Sequence, residues 1–261
     1  MVELPKTLEE AIAQAKQATL AAIADGQNRI QVEMVFPEIA LQAQSIALEF
    51  LPVFDNLATF EKSEDAEGKT RPQVKVFFPD AGAAALARRD WGKDTPYKLE
   101  DIGLGRLPIQ DKIVPEDDVF LLVDPSSVEV GEVEKICNAV GDRPVVLLNP
   151  HLEDAGTVGI GYTARQLRQR LFSTLFSAYY VRPLEGAAIF RFYPGLWQVW
   201  LETNGEYQLL VELPNKPVGE EIDQIIMSAT QPTDDNSGDA PKPKKPGIFA
   251  SMQRFLRALN N

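Results

Sequence analysis

The chain holds one histidine, His151, and one cysteine, Cys137, so the usual ways of building a catalytic centre converge on very few residues. Ser-His-Asp catalysis would depend wholly on His151, and metal sites made from several His or Cys ligands are ruled out. No zinc, iron–sulfur or P-loop spacing occurs, and no cofactor is expected. Cys137 sits in "VEKICNAV", a helical pattern, and reads as a small buried apolar residue in preference to a reactive thiol.

The remaining candidates cluster where apolar runs end. "VFLLVDP" closes on Asp124, and "PVVLLNPHLED" closes on Asn149 with His151, Glu153 and Asp154 just beyond. Open α/β sheets bind ligands outside the carboxyl ends of their strands, so these groups are candidates for one crevice, although loop capping explains them equally well. "GTVGIGYTARQLRQRL" invites a dinucleotide-binding reading, but its third glycine is missing and it follows a loop where a strand is required. Shaping a loop ahead of a helix is the plainer role for Gly159 and Gly161.

Arginine is dense nearby: Arg165, Arg168, Arg170, Arg182 and Arg191 fall within 27 residues of an otherwise acidic chain. Arg165 and Arg168, three apart near a helix start, share a face on which an anion would also meet a favourable dipole. Ion pairs with the many carboxylates are the alternative. Arg191 lies in "FRFYPGLWQVW", where Trp197 and Trp200 are candidates to stack on its guanidinium, either inside a packed sheet face or at an aromatic docking surface.

The elements that must position these residues follow from periodicity. "TLEE" at 7–10 fits a capping box opening a helix to Asp25, and "NRIQVEMVFP" alternates as a strand. Pro37 is expected to open a second helix running to about Phe50, and "EKSEDAEGKTRPQ" to be a solvated loop. Val74–Pro79 reads as a strand and Val119–Pro125 and Pro144–Pro150 as short apolar runs, with helices expected after the first and over Ser127–Val140. That alternation predicts a doubly wound parallel sheet. After a helix at Thr163–Phe176, "PG" and "NG" turns predict a three-strand antiparallel meander over about Ala187–Leu213, then a last helix at Glu220–Ala229. The class expected is therefore α/β with a mixed sheet: a parallel, doubly wound N-terminal part continued by the antiparallel meander.

The expected organisation is a domain over 1–229, a linker over 230–246 too poor in apolar residues to hold a core, and a basic amphipathic helix over 247–261. Residues 241–261 hold five of the chain's 26 basic residues and none of its 38 acidic ones, which leaves 21 basic against 38 acidic elsewhere, a net charge near −17. Ile248, Phe249, Met252, Phe255, Leu256 and Leu259 form one apolar stripe. Lys242, Lys244, Lys245, Arg254 and Arg257 supply cations beside it. So short a helix forms only when something covers its stripe: an anionic membrane surface, a protein groove, or the chain's own domain. The acidic balance elsewhere excludes a general nucleic-acid binder. The first residues show no signal or transit pattern and no apolar run is long enough to span a bilayer, so the expected location is cytoplasmic, on a membrane surface at most.

"VFLLVDP", "RPVVLLNPHLED", "RQRLFSTLFSAYYVRPL" and "FRFYPGLWQVW", in this order, resemble a domain of unknown function found in cyanobacteria and plant plastids. That family includes low-photosystem-II-accumulation-type assembly factors and the extra domain of a plastid adenylate-kinase-like protein. The likeness spans about Pro5–Ile226 and rests on the Asn149-Pro150 strand end and on Arg191, Tyr193, Pro194, Gly195 and Trp197. It implies a role in photosynthetic-complex biogenesis at the thylakoid, with a photosystem or thylakoid protein as partner. It brings no catalytic residues, and the kinase association does not carry over without a P-loop. The expectation is thus a non-enzymatic accessory factor; the alternative is a nucleotide- or phosphometabolite-binding enzyme or sensor using the crevice.

Overall fold

In the computed structural model, which describes residues 2–36, 39, 41–55, 57, 63–64, 70–103, 107–152 and 162–230, the apolar runs become the strands of one nine-stranded sheet. The strands are β1 (Arg29–Met34), β4 (Val74–Phe78), β5 (Lys98–Asp101), β6 (Val119–Val123), β7 (Val145–Leu148), β8 (Phe176–Leu184), β9 (Ala187–Phe192), β10 (Trp197–Thr203) and β11 (Glu206–Leu213). Ser63–Glu64 (β2) and Thr70–Arg71 (β3) pair separately as a small hairpin inside the stretch read as plain loop. The sheet order is β11-β10-β9-β8-β1-β7-β6-β4-β5. Strands β5 through β8 in that order are parallel, and β8 to β11 form the antiparallel meander as a continuation of the same sheet. The mixed α/β class expected from the sequence is the class observed.

The helices are α1 (Leu8–Ala24), α2 (Ala43–Phe50), α3 (Ala81–Asp90), α4 (Val130–Ala139), α5 (Tyr162–Arg170) and α6 (Glu220–Thr230). Alternation sorts even these largely apolar strands. Val76, Phe78, Leu121, Val123, Val146 and Leu148 join the core under α1, α2 and α3, while Phe77, Phe120, Leu122, Val145 and Leu147 face α4. Both faces are buried, which is why these strands are apolar apart from Lys75 of β4. Connections after β1 and β4 therefore leave toward one face and those after β6 and β7 toward the other.

Local chemistry accounts for the boundaries. Thr7 Oγ1 accepts from the Glu10 N–H at 3.1 Å, but Glu10 reaches back to the Lys6 N–H at 2.6 Å, one residue before the partner a capping box requires. The second helix begins at Ala43; Pro37, Glu38 and Ala40 lie outside the described residues. The helix after β6 begins at Val130, three residues late, because Ser126 and Glu129 first close a hydrogen-bonded turn.

The helix expected to reach Phe176 ends at Arg170, and Phe176 instead opens β8, the longest strand. Its next-to-last residue is Pro183, which has no N–H to give a neighbouring strand. Pro183 is tolerated because β1 stops pairing at Val181, so on that side no neighbour needs its missing N–H.

The Asn204-Gly205 turn has φ of +56° and +89°, the type I′ hairpin the sequence announces. The "PG" turn is different: its centre is Tyr193-Pro194, joined by a cis peptide bond, with the Gly195 N–H donating to Phe192 O at 2.7 Å. A Cβ at Gly195 would stand 2.9 Å from that oxygen, so glycine is required there. Among the described residues no helix is long and apolar enough to cross a membrane. The linker at 231–246 and the expected helix at 247–261 lie outside the described residues.

Candidate functional site

Strands β6 and β7 end alike. Asp124 and Asn149, each followed by proline, both adopt left-handed backbone with φ of +52° and +49°. Such a conformation is unfavourable for a side-chain-bearing residue and is tolerated best by Asn and Asp. Asn149 is held there from two sides: its N–H donates to Val32 O at 2.7 Å and its Oδ1 accepts from the Met34 N–H at 2.8 Å, which satisfies the last residue of β1. Asp124 donates its N–H to Leu148 O at 2.8 Å. One step on, Ser126 and His151 form a parallel bridge, with the His151 N–H reaching Pro125 O at 2.8 Å.

These turns stand where the connection after β7 departs to one face and that after β1 to the other, the geometry that opens a crevice in such sheets. A cavity of about 490 Å³ lies there, with Glu33, Asn149, His151, Tyr180 and Lys216 supplying its polar groups. A second, of about 340 Å³, shares Met34, Val35, Asn149 and His151 with it and adds Asp124 and Arg182.

His151 Nε2 stands 3.1 Å from Asp124 Oδ1. That hydrogen bond raises the imidazole above its ordinary range; partial burial opposes the shift, and the charges of Asp124 and Glu33 reinforce it. Lys216 lies over the Tyr180 ring at 3.9 Å and the Trp197 ring at 5.6 Å, with Glu33 at 3.7 Å. The hydroxyl of Ser126, the bridge partner of His151, donates to Glu129 at 2.6 Å, so its proton is directed away from the imidazole. Asp124 and His151 thus form a protonatable pair at an open crevice with polar and apolar walls, suited to holding a small polar ligand.

Of the residues expected at this crevice, Asp124, Asn149 and His151 are brought together. Arg165 and Arg168 are exposed on α5 and line neither cavity. Their helix is fastened instead by Arg170, whose Nε meets Glu134 at 2.7 Å. Glu153 and Asp154 lie outside the described residues, as do Gly159 and Gly161.

Arg191, on β9, stands opposite Tyr180 without lining either cavity, and its Nε donates to Ser177 O at 2.6 Å. Its guanidinium stacks on Trp197 at 5.3 Å, Phe176 at 5.4 Å and Tyr193 at 6.0 Å, and burial lowers its pKa. Trp200 takes no part, because it packs into the core on the other face. Cys137 is fully buried, and desolvation pushes its thiol up to about 11.

Sequence reasoning missed Glu33, Tyr180 and Lys216. Tyr180 lay hidden in the unrecognised β8, and Lys216 comes from a loop after β11 that no local pattern marks. Among the described residues no cluster of three or more His, Cys, Asp or Glu could hold a metal ion. The docking residues Lys242, Lys244, Lys245, Ile248, Phe249, Met252, Arg254, Phe255, Leu256, Arg257 and Leu259 fall outside the described residues. A family model matches residues 5–224, from before α1 into α6 and so across every strand that builds the crevice; on that match the chain belongs to the family described as a domain of unknown function (DUF1995).

Proposed function

We propose that this protein is a non-enzymatic accessory factor in the biogenesis of photosynthetic membrane complexes, working at the thylakoid surface through residues 247–260. The observation that carries this reading is the partition of charge: five cations and no anions in 241–261, against a net charge near −17 in the rest of the chain. A surface that attracts the tail repels the domain, so the 16 residues of 231–246 act as a spacer. The apolar stripe gives such a segment a reason to leave water, and each cation beside an anionic surface adds about 1 kcal/mol. The photosynthetic setting rests on the sequence resemblance.

Co-sedimentation of the full chain with anionic vesicles tests this. Binding is expected at low salt and should weaken as salt screens the cations. Phe255→Asp should abolish it, and Arg254→Gln with Arg257→Gln should weaken it and flatten its salt dependence. A full chain that ignores anionic vesicles removes the membrane part of the proposal.

A second reading, binding of a nucleotide or phosphorylated metabolite, is favoured by one observation: two left-handed residues meet an open crevice of about 490 Å³. Thermal-shift screening against such compounds tests it. Stabilisation by one compound that Asn149→Ala removes supports it; no response across the panel sinks it.

A further inference from the structure

Beyond the crevice, the same edge of the sheet carries an apolar groove. It lies between α2 and α3, over the carboxyl ends of β4 and β6, with a volume of about 540 Å³. Leu48 and Leu86, each 41% exposed, line it with the fully exposed Leu41 and the more buried Phe78 and Trp91. Large apolar side chains gathered in this way mark a surface that something covers. Asp90 and Asp124 stand at its rim.

We infer that this groove is the docking site of residues 247–260 of the same chain, which rests on reading that segment as a docking element. Charge argues for this occupant: a segment with only positive charges meets a body, residues 1–230, near −14. Shape argues for it too, since a single stripe of Ile248, Met252, Phe255 and Leu259 fits a groove and leaves Arg254 and Arg257 outside it, toward the acidic surface.

Length permits it. The described chain ends with α6, whose Ile222 packs on Tyr180, Ile189 and Trp197 of β8, β9 and β10. The last turn of α6 lies along β11, with Ser228 and Ala229 beside Leu210 and Val211, and from β11 to β6 is six strand spacings, about 29 Å. The 16 residues of 231–246 have a root-mean-square reach of roughly 20–24 Å and extend to about 53 Å, so a partly extended segment spans that distance. Tethering at that distance supplies an effective concentration on the order of millimolar, enough for a weak contact to hold the stripe and still yield it to a competing anionic surface.

Hydrogen exchange and vesicle binding on the full chain test the inference. Amides of α2 and α3 should be protected in the natural chain and exchange about tenfold faster in Phe255→Asp. Leu48→Asp, at an exposed position the core does not need, should free the tail and raise affinity for phosphatidylglycerol vesicles up to about tenfold, as a competing state is removed. Leu86→Asp serves as the second groove variant. Equal exchange in the natural chain and Phe255→Asp overturns the inference, and so does protection that grows with protein concentration, which would mean a second copy in the groove. If Phe255→Asp abolishes vesicle binding while α2 and α3 exchange unchanged, the membrane reading stands and this one falls. Loss of protection without vesicle binding by any form yields the reverse.

Discussion

The two ends of the parallel sheet use the same kinds of residue to opposite effect. At the amino end Asp117, wholly buried just before β6, holds Lys75 of β4 at 2.6 Å and Lys98 of β5 at 2.7 Å. Burial alone would raise the Asp117 carboxyl, but hydrogen bonds from Lys75, Lys98 and the Val114 N–H outweigh it and hold it below the usual carboxylate range. Arg143 closes the same end, donating to Val114 O and Asp117 O at 2.8 Å and stacking on Phe120 at 5.0 Å. Every charge there is spent on another part of the fold. At the carboxyl end, Asp124 and Asn149 sit in strained backbone around open space, and the histidine they position is 65% exposed. The contrast separates charges that hold the fold together from charges held in place by the fold.

The largest expected effect breaks the amino end. Asp117→Ala strands Lys75, whose side chain is only 6% exposed, and should destabilise the protein by about 3–5 kcal/mol in urea unfolding. Because the Asp117 carboxyl is depressed, its contribution is present above its unfolded pKa, near 3.8, and is lost as pH falls through the lower folded value. The variant's acid transition should therefore be flatter. A loss below about 1 kcal/mol would mean the network is not structural.

At the carboxyl end the expected effect on stability is small. Asp124→Gly relieves the left-handed backbone and gives up only a partly exposed pair, so its stability should change by less than about 1 kcal/mol in either direction. A loss as large as that of Asp117→Ala would erase the distinction between the two ends.

The difference was half legible in the sequence. Continuous apolar runs declared a sheet buried on both faces, and the Asp-Pro and Asn-Pro endings pointed to the crevice. The left-handed backbone at Asp124 and Asn149 was invisible, because it is imposed by neighbours such as Met34 and Leu148 that are remote in sequence. Strand β8 went unassigned beyond Phe176, which was read as the end of a helix, since its partners β1 and β9 supply what its Arg-Pro end lacks locally. The placement of Arg165 and Arg168 failed for a related reason: helical spacing gives a face but not what the face meets.

The smallest effect sharpens the comparison at one atom. His151 is the chain's only histidine, so its ring signals in NMR are unique. It should titrate above the ordinary value near 6.5 and return toward it in Asp124→Asn. The raised value stabilises the fold below the unfolded pKa, and that small gain fades as pH climbs through the folded one. A titration unchanged by Asp124→Asn would detach the pair.

The position of β1 governs the order in which the sheet can be made. It occupies the middle of the sheet, yet its two neighbours are residues 145–148 and 176–181, more than 100 positions later. At about 5–20 residues per second, a ribosome leaves this strand without either neighbour for roughly 6–23 seconds. The apolar side of α1 and the alternating edge of β1 wait through that interval, a window in which a nascent-chain chaperone has something to hold.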